Sequence, residues 1–419
     1  MNATAAKRET FGFIEGMRGM AALQVVLTHL FSAFFPVFAG VGGNAHYAWE
    51  AEFARTPLYF LIDGNTAVYI FFLMSGFVLA PSFLTTKLGA CQIIAKRFAR
   101  LYIPVLAAGI ISVGLWLILP AARDHAVGVT MSAWASALCR NPMSLWSIIK
   151  DTTLNSMVLG YETESVLQHI PIVSSLIVGT PLTLAFNPPL WTLHAELWGS
   201  VLTIAVAFFY KAVSRRVFWP VCLIALLVTG TSFFTLFLLG FAAYVSKERL
   251  VRLKSRGASL VAGILIACGI TVSSTLSQHP FDVALNVANQ VAWLNTRAGI
   301  RLQFEFGAIL IMLGVCLCHQ ARAALSMRLP VWLGKISFSL YLIHFPVIFT
   351  VGFAVFNAVY PTFGYGLSAA FAMATSMALS LLLAIAFERY VDARSVRFSR
   401  KLTAYMSTSD KSPPALSQE

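Results

Sequence analysis

The 419 residues are 58% hydrophobic and 11% charged, with a mean hydropathy of +0.76 and a formal charge of +13 at pH 7. Soluble domains are roughly 25% charged, so this composition excludes a soluble enzyme and places the chain in lipid. The positive charge does not mark a nucleic-acid binder, because the cations stand in short clusters between apolar runs and report topology.

Apolar runs near 20 residues, the length that crosses about 30 Å of hydrocarbon, predict helices at about 13–35, 65–84, 101–119, 192–210, 217–229, 231–246, 258–275, 302–318, 334–355 and 363–388. The expected fold is therefore all-α, a polytopic transmembrane bundle of about ten spans. One transmembrane domain is expected over 1–400, and a disordered cytoplasmic tail over 401–419, rich in Ser, Thr, Pro and charge. Residues 120–190 are expected to form an extracytoplasmic or re-entrant loop, interrupted late by Pro171, Pro181, Pro188 and Pro189. Placing the N-terminus inside puts Lys7 and Arg8, and the clusters Lys87 to Arg100, Lys211 to Arg216, Lys247 to Arg256, Arg322 to Lys335 and Arg389 to Lys411, in the cytoplasm. Both termini are then cytoplasmic, in a multi-pass protein of the inner (plasma) membrane. The first run is long enough to span and carries polar residues, which argues against a cleaved signal peptide. Cys91, Cys139, Cys222, Cys268, Cys316 and Cys318 lie mostly in apolar segments without metal-type spacing, so free thiols and no metal are expected.

Arg18 and His29 are eleven residues apart in the first run. Eleven steps of 100° make three turns plus about 20°, so both project from one face, separated by a rise of about 16 Å. That face suits a long, slender ligand with phosphate near Arg18 and a reactive group near His29. Ionisable groups within a span are expensive and usually face a cavity. His29 reads either as a satisfied structural histidine or as a general base, whose partner would be a carboxylate. In the second run Ser75-Gly76 lies among aromatics and marks close helix packing; no G-x-S-x-G elbow supports Ser75 as a nucleophile. Asn65, after Asp63-Gly, is read evenly as part of a helix cap or as a hydrogen-bond donor to a substrate oxygen. Arg97 and Arg100, at i and i+3, are close enough for one phosphate; inner-face anchoring and anionic lipid binding are the competing readings.

Tyr161, Glu162, Glu164 and His169 read as solvated loop or as ligand contacts. In Asn187-Pro-Pro-Leu-Trp191-Thr-Leu-His194-Ala-Glu196 the prolines end an outer segment and Trp191 reads as an interface anchor. Glu196 stands at a helix start, where the dipole favours an acid. It is the leading candidate for the partner of His29, with a plain helix-start acid as the alternative. His194 points to another face and reads as structural or interfacial. His344, in Ser337-Phe-Ser-Leu-Tyr341-Leu-Ile-His344, is weighed between site and structure.

These segments together resemble the membrane acyltransferase-3 family, O-acetyltransferases that decorate surface polysaccharides, peptidoglycan, small glycans and some secondary metabolites. The resemblance spans nearly the whole chain and rests on five blocks in order. They are Gly16-Met-Arg18-Gly with His29 at Arg-x10-His spacing, Phe71-Phe-Leu-Met-Ser75-Gly76-Phe77, Arg97-x-x-Arg100, Leu190-Trp191-Thr-Leu-x-x-Glu196, and Leu333-Gly-Lys-Ile-Ser337-Phe-Ser-Leu-Tyr341-Leu-x-His344. It implies an acyl-CoA-dependent O-acyltransferase that moves an acyl group, expected to be acetyl, from cytoplasmic acyl-CoA to a hydroxyl of an extracytoplasmic saccharide or glycoconjugate. It makes His29 the catalytic base, places Glu196 in the active site, and assigns Arg18, Arg97 and Arg100 to the acyl-CoA. Asn65, Ser75, Trp191 and His344 are expected to support substrate binding, with membrane lipid as surroundings and neither metal nor nucleic acid as partner. One departure is that Leu197 follows Glu196, where the family more often has a second Glu. A secondary transporter is the competing reading; repeats would mark it, and the Arg18 to His29 pattern is not repeated in the second half.

Overall fold

The computed structural model describes residues 12–39, 45–230, 232–246, 256–274 and 298–409, and among these the regular structure is all helical. Lys7 and Arg8, the cations from Lys247 to Lys254, Arg297 and the tail beyond Ser409 lie outside the described residues. The chain opens with α1 (Gly12–Phe34), a short α2 (Ala48–Ala54), α3 (Gly64–Thr85) and α4 (Ala90–Ile118). A long connection follows, holding α5 (Ala122–Thr130), α6 (Ala133–Ala137), α7 (Leu145–Lys150) and α8 (Pro171–Ile177). Then come α9 (Trp191–Ala212), α10 (Arg215–Thr229), α11 (Phe233–Val245), α12 (Arg256–Ser273), α13 (Ala298–Leu317) and α14 (His319–Leu325). Finally α15 (Arg328–Val347), α16 (Phe353–Phe387) and α17 (Ala393–Ser409) are joined by π turns at Ile348–Gly352 and Glu388–Asp392.

Every expected segment coincides with a helix, but the expectation of about ten spans does not hold. Among the described residues four helices are long and apolar enough to cross a membrane: Gly64–Thr85, Ala90–Ile118, Pro188–Ala212 and the continuous stretch Arg328–Met406. A fifth is reached only if Leu302–Leu317 and His319–Leu325, bent by 97°, count as one. The physical reason is that apolarity was counted where length or continuity is missing. α10 and α11 have 15 and 13 residues, short of the roughly 20 a span requires. α1 is diluted by Arg18, Gln24 and His29. The last two expected segments belong to one 79-residue run, interrupted inside α16 where Gly364 has φ 68°. The tail expected from 401 is helical as far as Ser409, because Ser399 and Thr403 are buried as α17 packs on α4.

Two close crossings position the site. Where α1 meets α15, a Cβ on Gly19 would lie 2.4 Å from the Gly334 nitrogen, and one on Gly334 would lie 2.0 Å from the Glu15 carbonyl oxygen. Only glycine permits this approach of two backbones. α3 and α11 meet in the same way at Gly76 and Gly240, which is the packing expected of the Ser75-Gly76 pair.

Candidate active site

α1, α3, α4, α9 and α15 surround a cavity of about 210 Å³. Its charged end is built from Arg18, Arg97, Arg100 and Glu196, and Ser75, Thr192, Ser337 and Tyr341 add hydroxyls to a wall that includes Phe71, Phe72 and Phe338. The three arginines expected to act together thus share one cavity, but each has its own carboxylate. Arg97 pairs with Glu196 and donates from Nε to Ser200 Oγ at 2.9 Å. Arg100 grips both carboxylate oxygens of Asp392, donates to Ser395 Oγ at 3.2 Å and lies over the Phe338 ring. Arg18 is held loosely, 3.5 Å from Glu15. The carboxylates take up much of the donor capacity of Arg97 and Arg100, and Arg18 is the least committed of the three.

His29 is not partnered by Glu196, which is occupied by Arg97 and Ser75. Its Nδ1 lies 2.8 Å from Nε2 of His344, and the two rings are stacked with centroids 5.0 Å apart. Donor and acceptor roles follow from the far end of the chain. His344 Nδ1 is 3.1 Å from the Leu340 carbonyl oxygen, which can only accept, so that nitrogen carries the proton. In the neutral ring Nε2 must then accept, and His29 Nδ1 donates to it. The lone pair of His29 therefore sits on Nε2. A carboxylate in place of His344 would fix the same tautomer, and no spacing in the sequence distinguishes the two partners.

The ring of His29 is covered by Trp134 of α6, stacked at 5.7 Å and 11°, and met edge-on by Phe345 at 5.2 Å. Neither Trp134 nor Asp392 was singled out from the sequence. Trp134 lies in a five-residue helix with no motif around it, and Asp392 is 292 residues from its arginine.

Between arginines and histidines stands Tyr341, which lines the cavity and lies 5.8 Å, centroid to centroid, from His344. It donates to the Pro189 carbonyl at 3.0 Å and shares a 2.8 Å hydrogen bond with Thr192. Asn187 fastens the same corner, donating from Nδ2 to the Leu342 carbonyl at 2.9 Å and to Ser112 at 3.1 Å. The two prolines explain the local fold: they shape a 3-10 turn, Pro188–Leu190, that leads straight into α9 and carries Glu196 one turn inside it.

The remaining expected residues separate. Ser75 and Glu196 line the cavity. Trp191 packs on Phe233 at 5.3 Å, outside the cavity lining. Asn65 is exposed; Asp63 is the cap of α3, accepting from the Asn65 and Thr66 nitrogens. His194 is structural: Nε2 accepts from the Val166 nitrogen at 3.0 Å and Nδ1 donates to the Met157 carbonyl at 3.2 Å. Tyr161 is buried, donating to Asp151 at 2.8 Å. Among the described residues no three His, Cys, Asp or Glu side chains gather as a metal would need.

Residues 11–385 match a family described as an acyltransferase domain. The O-acetyltransferase PaAT-1 of Phomopsis amygdali is 24% identical over 435 residues, covering 93% of this chain and 83% of that protein. No solved structure matches significantly. The match covers both the arginine-lined cavity and the histidine pair, and the chain belongs to this acyltransferase family as a membrane-associated, acyl-CoA-dependent acyltransferase.

Proposed function

We propose that the protein is an integral-membrane O-acyltransferase that moves an acetyl group from acetyl-CoA in the cytoplasm to a hydroxyl of a saccharide or glycoconjugate on the other side. The observation that carries the reading is the histidine pair, which leaves His29 Nε2 with a lone pair at the far end of α1 from Arg18. The name of the Phomopsis relative supports O-acetyl transfer.

In this mechanism Arg18, Arg97 and Arg100 hold the phosphates of the donor, and its pantetheine arm runs past Tyr341. His29 Nε2 takes the proton of the acceptor hydroxyl as its oxygen attacks the thioester carbonyl carbon. The carbon–sulfur bond breaks, the oxygen ester forms, and the imidazolium returns its proton to the departing thiolate, releasing CoA. Glu196 works at the donor end, orienting Arg97. Membranes holding the wild type or His29→Ala, given acetyl-CoA labelled in the acetyl group, test this. Wild type should place base-labile label in extractable glycans, and the variant should lose about 10²–10⁴-fold of the rate. Equal labelling by both would sink the assignment of His29.

A further inference from the structure

α17 buries Ser395, Ser399 and Thr403 against α4 and turns another face outward. That face carries Arg394, Arg397, Arg400 and Lys401, all exposed, together with Phe398 and Tyr405, 51% and 75% exposed. At 100° per residue Arg394, Arg397, Phe398, Lys401 and Tyr405 fall within an arc of about 100°, with Arg400 on its flank. Among the described residues none of the four cations belongs to an ion pair, and α17 has no acidic residue. The helix continues the apolar run of α15 and α16. At the junction Tyr390 is exposed beneath Arg389 and Arg394, whose guanidinium carbons are 5.6 and 5.8 Å from its ring centre.

Aromatic rings at 390, 398 and 405 repeat at intervals that keep them on one side of a helix leaving the hydrocarbon, with cations beside them. Rings of this kind settle at headgroup depth, and unpaired guanidinium groups next to them meet lipid phosphate. The head of the same element reaches the active site: Asp392 and Ser395 are the groups that hold Arg100.

We propose that the outward face of α17 docks on anionic phospholipid headgroups, and that this seating sets the donor end of the cavity through Asp392, Ser395 and Arg100. The first clause stands independently of the acyl-transfer reading; the second rests on it.

The full chain in nanodiscs of phosphatidylcholine, with and without phosphatidylserine, tests both clauses. Association of spin-labelled phosphatidylserine is compared for wild type and a variant carrying Arg394→Gln, Arg397→Gln, Arg400→Gln and Lys401→Gln, all at exposed positions. Wild type should prefer phosphatidylserine in a salt-sensitive way. At about fivefold per cation, the variant should lose the preference by more than about tenfold. The KM for acetyl-CoA should rise when phosphatidylserine is omitted or the four cations are removed, with kcat unchanged. Equal lipid association in both proteins overturns the docking surface. So does displacement of the labelled lipid by free CoA, which would make the face part of the donor site. A KM indifferent to lipid overturns the coupling alone. A chain that transfers no acyl group still reports lipid association, so failure of the enzymatic reading is told apart.

Discussion

At the scale of single residues the decisive feature is a proton's address. His344 does its work only if its Nε2 accepts from His29, and the Leu340 carbonyl enforces that by accepting from the other nitrogen. Glutamine at 344 offers an oxygen to His29 Nδ1 and an amide to Leu340, whereas leucine offers neither. His344→Gln should therefore keep activity within about tenfold, while His344→Leu should fall about 10²-fold or more in kcat with the KM for acetyl-CoA unmoved. A merely structural histidine would lower expression and thermal stability in both variants and leave the kcat of surviving protein intact. The Arg97–Glu196 pair behaves differently, because each half-buried charge neutralises the other. Arg97→Gln alone should destabilise by about 3 kcal/mol by stranding a carboxylate, and Arg97→Gln with Glu196→Gln should recover much of it. A double-mutant cycle of melting temperatures reads the coupling, and additive losses would count against the pair. Residue identity was legible before partnership was. Arg18, His29, Arg97 and Glu196 stand in recognisable blocks, but nothing in a linear sequence says that Glu196 faces an arginine and His29 a second histidine 315 residues away.

At the scale of elements the site depends on how closely α1 and α15 approach. His29 and His344 meet because Gly19 and Gly334 let the two backbones touch ten residues away. Gly334→Ala would set a methyl 2.0 Å from the Glu15 carbonyl oxygen. The helices must part, and the loss should appear both in melting temperature and in turnover. Gly114→Ala in α4 is the matched control, since a Cβ there meets nothing within 4 Å. It should be neutral or slightly stabilising, by up to roughly 1 kcal/mol. Equal behaviour of the two variants would mean that the crossing does not set the site. Helix positions were readable from apolar periodicity, because that signal is local. The number of spans was not, because hydropathy does not reveal that α10 and α11 stop short, or that α15 to α17 run on as one.

At the scale of the whole molecule, the long connection between α4 and α9 is not a separate domain; buried polar contacts hold it to the bundle. Asp151 is central to them: its carboxylate accepts from Tyr161 at 2.8 Å and from the Phe186 nitrogen at 3.1 Å, and Phe186 in turn accepts from Trp116 of α4 at 3.1 Å. Burial pushes the Asp151 carboxyl up to about 6 from its ordinary 3.8, with the hydrogen bonds from Tyr161 and Phe186 opposing the rise. The same burial, with Asp151 as neighbour, raises the Tyr161 phenol. A carboxyl whose folded pKa lies above its unfolded value binds its proton more tightly in the native state, so its contribution to stability is greatest in acid. That contribution is lost as pH rises from about 4 through about 6, and amounts to on the order of 3 kcal/mol between the limits. Other groups titrate across the same range, so the useful quantity is a difference. The melting temperature of wild type minus that of Asp151→Asn, which cannot titrate, should be largest near pH 4, decline through pH 6 and level off above it. A difference that is flat in pH would show that Asp151 ionises in the folded protein as it does in the unfolded chain, and would overturn the raised carboxyl.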